Sequence, residues 1–168
     1  MLDLWLIRHA QSQGNLEGSQ DDSDLSSDGE AQARTLAREL EAEQFDLVIA
    51  SPLLRARRTA ELALPNASVV IEPRLRELVL LSKGFLDVTK LNATAIRELA
   101  TAAKSEPPQE SGREFMARIR EWIAGLPTHG RVIAFTHFAV LRECLRQLRP
   151  GLPPQRVEFC EIHRVSRS

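Results

Sequence analysis

Four short apolar runs most constrain this chain: residues 1–7, 46–50, 68–71 and 131–136 each read as a buried strand followed by a polar turn. In the first run Leu2, Leu4 and Leu6 fall on one face and Trp5 and Ile7 on the other, as in a strand covered on both sides. Helical spacing fills much of the chain between and after the runs. Ser27-x-x-Glu30 reads as a capping box opening a helix with Ala33, Leu36, Ala37 and Leu40 on its apolar stripe, and Ser111-x-x-Glu114 opens one with Phe115, Ile119, Trp122, Ile123 and Leu126. Ile96, Leu99, Ala100 and Ala103 repeat the spacing after Asn92, as do Leu141, Cys144, Leu145 and Leu148. Ser51-Pro52 reads as a helix cap followed by the first helical position. Strands separated by helices pair in parallel and bury both sheet faces. The expected fold is therefore α/β, a three-layer α/β/α sandwich around a mostly parallel central sheet, with residues 1–168 forming one domain. A final strand over 157–165, carrying Glu158, Glu161, His163 and Arg164, is expected at a sheet edge.

In such sheets ligands bind outside the carboxyl ends of the strands. The first run ends in Arg8-His9, the second leads to Arg55, the third to Glu77 and the fourth to His137. Composition narrows the chemistry. A formal net charge of -1 disfavours a nucleic-acid partner, and the four histidines show no zinc-type spacing, so neither a metal nor a cofactor is expected. No Gly-x-Gly-x-x-Gly or Gly-x-x-x-x-Gly-Lys loop follows any strand, which excludes the common nucleotide-binding patterns. Two cysteines without a framework, no leader-type start and no membrane-length apolar run point to the cytoplasm and no membrane. Cys144, in a helix, and Cys160, in the last strand, read as reduced core thiols. His129 reads as a turn residue and His163 as surface. The acidic segment at residues 21–24 reads as an exposed loop that repels acidic substrates from one side of the entrance.

Taken together, these segments resemble the histidine phosphatase superfamily, which includes phosphoglycerate mutases, α-ribazole phosphatases and small phosphohistidine phosphatases. The family opening appears as Arg8-His9-Ala10 with Asn15, its Leu-(Ser/Thr)-x-x-Gly segment as Leu25-Ser26-Ser27-Asp28-Gly29, and its Ser-Pro-Leu-x-Arg-x-x-x-Thr-Ala segment runs complete from Ser51 to Ala60. Glu110-Ser111 ahead of a helix with Arg118, and the late strand ending at His137, complete a match over residues 4–148. Three positions depart from the pattern: Ala10 for Gly, Gln11 for Glu, and Phe138 for the Gly that often follows the second His. None removes a catalytic group, while Phe138 narrows the pocket with an aromatic ring.

The resemblance implies the site. Arg8, Arg55 and His137 clamp a phosphoryl group, for which the guanidinium fork is suited. His9 is the nucleophile, kept neutral by neighbouring cations. Glu77 is the expected proton donor to the leaving group, the alternative being a solvated carboxylate paired with Arg74 or Arg76. Asn15 either donates to the phosphate, the favoured reading, or closes the loop; Ser51 is a cap and not a nucleophile. Phe138 lines the substrate pocket. Residues 78–90 lack the Gly-rich acidic pattern of the mutases, and residues 78–110 are short, with Lys83, Lys90, Arg97 and Lys104 their cations. The expected activity is metal-independent hydrolysis of a small phosphomonoester. A protein phosphohistidine substrate is the runner-up, a silent phosphate-binding relative the alternative of another class, and mutase activity less favoured. Oligomeric state is not legible.

Overall fold

The computed structural model describes residues 1–19, 22–78, 110–151 and 156–167. Among them lie β1 (Leu2–Arg8), α1 (Gln13–Glu17), α2 (Ser27–Glu39), β2 (Leu47–Ala50), α3 (Leu54–Ala63), β3 (Val69–Ile71), a 3-10 turn (Pro73–Leu75), α4 (Gly112–Ala124), β4 (Gly130–Thr136), α5 (Phe138–Leu148) and β5 (Ile162–Arg167). The helix expected around Ile96, Leu99, Ala100 and Ala103, and the cations Lys83, Lys90, Arg97 and Lys104, fall outside the described residues.

The five strands form one sheet in the order β3-β2-β4-β1-β5. β1 pairs parallel with β4, β4 with β2 and β2 with β3, while β5 runs antiparallel along β1. The sheet is therefore mostly parallel with an antiparallel edge, and the carboxyl ends of β1, β2, β3 and β4 open on one side.

The alternation along β1 sorts the core. Leu2, Leu4 and Leu6 join Val132 and Ala134 against Phe115, Ile119 and Trp122 of α4 and Leu141 and Cys144 of α5. Trp5 and Ile7 join Ile133 and Phe135 against Leu36 of α2 and Ala60 and Ala63 of α3, with Leu40 just past α2. Helices thus cover both faces, and burying such apolar surface contributes about 25 cal/mol per Å².

Several local expectations are corrected. The cap of α2 is Ser26, not Ser27: its hydroxyl accepts from Gly29 N at 3.0 Å. Ser27-x-x-Glu30 has the right letters one position late, because Ser26 is also held by the Gln11 backbone and side chain. The Ser111–Glu114 capping box is present as expected. Helix α3 begins at Leu54 with Leu53 as its cap position, so Pro52 precedes the helix and Ser51 does not cap it. The last strand begins at Ile162; residues 157–161 instead form an approach in which Cys160 occupies a turn with φ of 57°. His163 is buried, not on the surface, at 7% exposure, with Nε2 3.3 Å from Glu161. His129 is exposed in its turn.

One glycine explains a motif. A β-carbon on Gly29 would stand 1.9 Å from the carbonyl oxygen of Gln11, so the first turn of α2 presses directly on the loop after His9. That contact, with Gln11 N donating to the Gln32 side chain at 2.9 Å, fixes the loop that carries the nucleophile candidate.

Candidate active site

Each site residue is delivered by a strand end. His9 follows β1 and its N–H donates to Thr136 O at 2.8 Å, tying it to the end of β4, where His137 follows. Arg55 lies in the first turn of α3, after β2. Glu77 follows β3 and the 3-10 turn; Thr136 Oγ1 donates to Leu75 O at 2.9 Å, which draws that segment onto the end of β4. Thr59, one turn beyond Arg55, accepts from Ala10 N at 3.0 Å and so fastens the His9 loop to α3. The sequence thus brings Arg8, His9, Arg55, Glu77 and His137 to one end of the sheet.

His9 is 3% exposed and its geometry fixes its tautomer. Nδ1 lies 2.6 Å from Ala10 O, a carbonyl that can only accept, so Nδ1 carries the proton. Nε2 therefore holds the lone pair, which accepts from Arg55 Nε at 3.3 Å. Burial first, and then the Arg55 and Arg8 charges, hold the imidazole well below its ordinary pKa, so it is neutral at pH 7. The sequence argument gave neighbouring cations the leading part; desolvation is the larger cause. The His137 ring, fully buried, stands 5.0 Å from the His9 ring, and burial, then His9, Arg55 and Arg8, depress it likewise.

Both arginines feel the Glu77 charge. Arg8 donates to Val157 O at 3.0 Å, and its guanidinium lies 3.9 Å from the Phe159 ring centroid and 5.2 Å from that of Phe138. Arg55 is 5% exposed, and its guanidinium lies 3.9 Å from the Asp22 carboxylate. Burial lowers both guanidinium pKa values from the ordinary, against the pull of Glu77. Both remain cations at neutral pH.

Glu77 is partly covered at its surface yet packed deeply enough that burial raises its carboxyl above the usual range. The opposing causes are the N–H groups of Leu78 and Ala139 and the charges of Arg55 and Arg8. The alternative pairing with Arg74 or Arg76 does not form: Arg74 pairs with Glu72 at 2.7 Å and Arg76 with Glu110 at 3.4 Å. Arg118 accounts for the Glu110 motif, because it grips Glu110 at 2.6 and 2.5 Å and also donates to the carbonyls of Arg74 and Arg76. It thereby braces the backbone that presents Glu77.

Asn15 is used by the loop itself: its side-chain oxygen accepts from Ser12 N at 2.9 Å in a capping box on α1. Phe138 opens α5 and is 9% exposed, between Arg8 and Arg142. Sequence reasoning missed three contributors. Val157 and Phe159 hold Arg8 from a loop with no motif, and only their nearness to the last strand, which pairs with β1, could have drawn attention to them. Asp22 accepts from Leu54 N at 2.6 Å, supplying from a distant loop the cap acceptor at the start of α3 that Ser51 was expected to provide. Among the described residues no group of three or more His, Cys, Asp or Glu side chains could hold a metal ion, and no helix is long and apolar enough to cross a membrane.

Comparison with known proteins agrees with this fold. A model of the histidine phosphatase superfamily (branch 1) matches residues 4–168. A "Probable phosphoglycerate mutase GpmB" of Photorhabdus laumondii is 32% identical, the match covering 98% of this chain and 85% of the relative. Among solved structures, a "putative alpha-ribazole-5'-P phosphatase" of Escherichia coli is 28% identical with a TM-score of 0.71, covering 91% of this chain and 81% of that one. A phosphoglycerate mutase of Thermus thermophilus is 31% identical with a TM-score of 0.68, covering 99% of both chains.

Proposed function

The chain belongs to the histidine phosphatase superfamily (branch 1), and from that premise we propose that it hydrolyses small phosphomonoesters through a phosphohistidine on His9, with no metal. The observation that carries this reading is the neutral His9 whose Nδ1–H is committed to Ala10 O, so that its lone pair sits on Nε2, where it accepts from the buried Arg55.

A phosphomonoester dianion resists attack until its oxygens are neutralised. Arg8, Arg55 and His137 receive those oxygens, with Asn15 contributing its amide group from the α1 loop. The Nε2 lone pair of His9 forms the N–P bond as the P–O bond to the leaving group breaks. Glu77, whose carboxyl burial raises, gives its proton to the departing alkoxide. Water then attacks phosphorus, Glu77 takes its proton, and His9 is regenerated with release of phosphate. Phe138 and Phe159 line the side of Arg8 away from the sheet and set an apolar boundary for the substrate's organic part.

The test is hydrolysis of an aryl phosphate in the presence of a chelator, comparing the native chain with His9→Ala. The expected outcome is activity that survives chelation and falls by at least about 10³-fold in the variant. Activity that needs an added divalent cation, or persists in the variant, sinks the reading. A second reading, phosphoryl transfer between hydroxyls of a phosphoglycerate, is favoured by the mutase names of relatives about 32% identical. Supplying 3-phosphoglycerate separates the two: free phosphate marks the hydrolase, and the 2-isomer without phosphate release marks the mutase.

A further inference from the structure

Ser51 has a hydroxyl that the mechanism above leaves unused. It is wholly buried, its Oγ lies 2.7 Å from His137 Nε2, and Leu53 N donates to that same oxygen at 3.3 Å. The backbone N–H of Ser51 donates to Phe135 O at 2.9 Å, two residues before His137, so the hydroxyl and the ring are held by one strand pair. The other ring nitrogen of His137, Nδ1, is buried and has no hydrogen-bond partner among the described residues.

Counting protons settles the arrangement. The Ser51 oxygen already accepts from Leu53, and no acceptor for its own proton is present among the described residues except His137 Nε2. If Nε2 carried the ring proton, the hydroxyl would accept twice and its own proton would be stranded in the interior. With O–H donated to Nε2, the ring proton must sit on Nδ1. We propose that Ser51 is a positioning residue that fixes His137 as its Nδ1–H tautomer, so that a neutral imidazole still presents a hydrogen-bond donor to the transferring phosphoryl group.

The division of labour follows. Both imidazoles then carry their proton on Nδ1, yet they are turned to opposite uses. His9 spends its N–H on a backbone carbonyl and keeps its lone pair on the Nε2 that meets the Arg55 guanidinium; His137 has its lone pair occupied by a serine and offers an N–H. No net charge is needed for either, which matters where two arginines already crowd the site. The kinetic consequence rests on the phosphatase reading, whereas the tautomer does not.

The experiment is nitrogen NMR of the imidazoles in ¹⁵N-histidine-labelled protein near pH 7, the His137 signals being those missing from a His137→Asn sample. The native chain is expected to show His137 protonated at Nδ1 and bare at Nε2. Ser51→Ala is expected to populate the Nε2–H form and, on an aryl phosphate, to lower kcat by about 10- to 100-fold. Ser51→Thr, which keeps the hydroxyl, restores the native tautomer and most of the rate. A native His137 protonated at Nε2 overturns the proposal, as does a Ser51→Ala protein that keeps both the tautomer and kcat. Should Ser51→Ala fail to fold, the native spectrum and Ser51→Thr still decide the tautomer. A native chain without hydrolase activity but with the Nδ1–H tautomer would strike the functional reading alone.

Discussion

The two ends of the central sheet use the same kinds of residue to opposite effect. At the amino end, Asp3 accepts from Trp5 Nε1 at 3.0 Å and from Arg164 at 3.1 Å, and Arg131 meets Glu43 at 2.5 Å while stacking near Trp5 and Phe45. There the Glu43 carboxylate raises the Arg131 pKa, and the cation is half in water. At the carboxyl end, burial lowers the pKa values of Arg8 and Arg55 against the pull of Glu77. One end is an ion-pair network in which carboxylates raise the arginine. At the other, where the proposed phosphoryl substrate would lie, desolvation is the largest influence on the cations.

Removing charge should therefore hurt function at one end and little at the other. The largest effect is expected for Arg55→Met, with kcat/KM on an aryl phosphate down about 10²- to 10³-fold. Stability should change far less than the rate, because burial already opposes the Arg55 charge that the apolar chain removes. A loss of rate matched by a loss of fold, followed by urea unfolding, would erase the contrast. Next, Glu77→Gln should slow an alkyl phosphate about 10²-fold and an aryl phosphate less than about tenfold, since a phenolate scarcely needs protonation. Equal losses on both would make Glu77 a brace and not an acid.

A smaller effect concerns acid. His9 and His137 have folded pKa values well below the ordinary 6.5, so the unfolded chain takes up protons that the folded chain refuses. Stability is thus intact above about pH 6.5 and declines as pH falls below it, by about 1.4 kcal/mol per pH unit for each imidazole. Glu77, raised in the fold, acts in the opposite sense. Comparing urea midpoints of the native chain and His9→Asn at pH 7 and 5.5 isolates one imidazole; an unchanged pH slope would deny its depression. Smallest of all, Arg131→Met should leave kcat alone and cost about 1 kcal/mol or less, read as a shift of a few degrees in Tm.

Much of this was legible in the sequence, for identifiable reasons. The period-two sorting of Leu2, Leu4 and Leu6 from Trp5 and Ile7 is a property of the strand alone, and it assigned both sheet faces correctly. The strand exits carried His9, Arg55, Glu77 and His137 to one end because parallel pairing leaves no other arrangement. What escaped notice was competition for short polar side chains. Ser26 and Ser27 both suit a cap, and only the Gln11 contacts choose between them. Ser51 suits α3, yet His137 claims it from 86 residues away while Asp22 takes over at the helix start. His163 stands among charged neighbours in sequence, but pairing opposite Leu6 turns it toward the interior. Such choices are made by tertiary neighbours, on which local spacing is silent.

The pairing of β1 has a consequence for how the protein comes into being. Leu2 lies opposite Gly130 on one side and Arg167 on the other, so the strand that ends in Arg8-His9 has neither partner until residues 130 and 167 have been made. Contacts that distant in sequence form slowly. During synthesis the His9 imidazole therefore waits without the Arg55 guanidinium, the facing His137 ring or the Thr136 carbonyl that surround it in the folded chain. Assembly of this end of the sheet is a late event that coincides with its closure, and a ribosome-bound fragment ending before residue 130 carries His9 but not its setting.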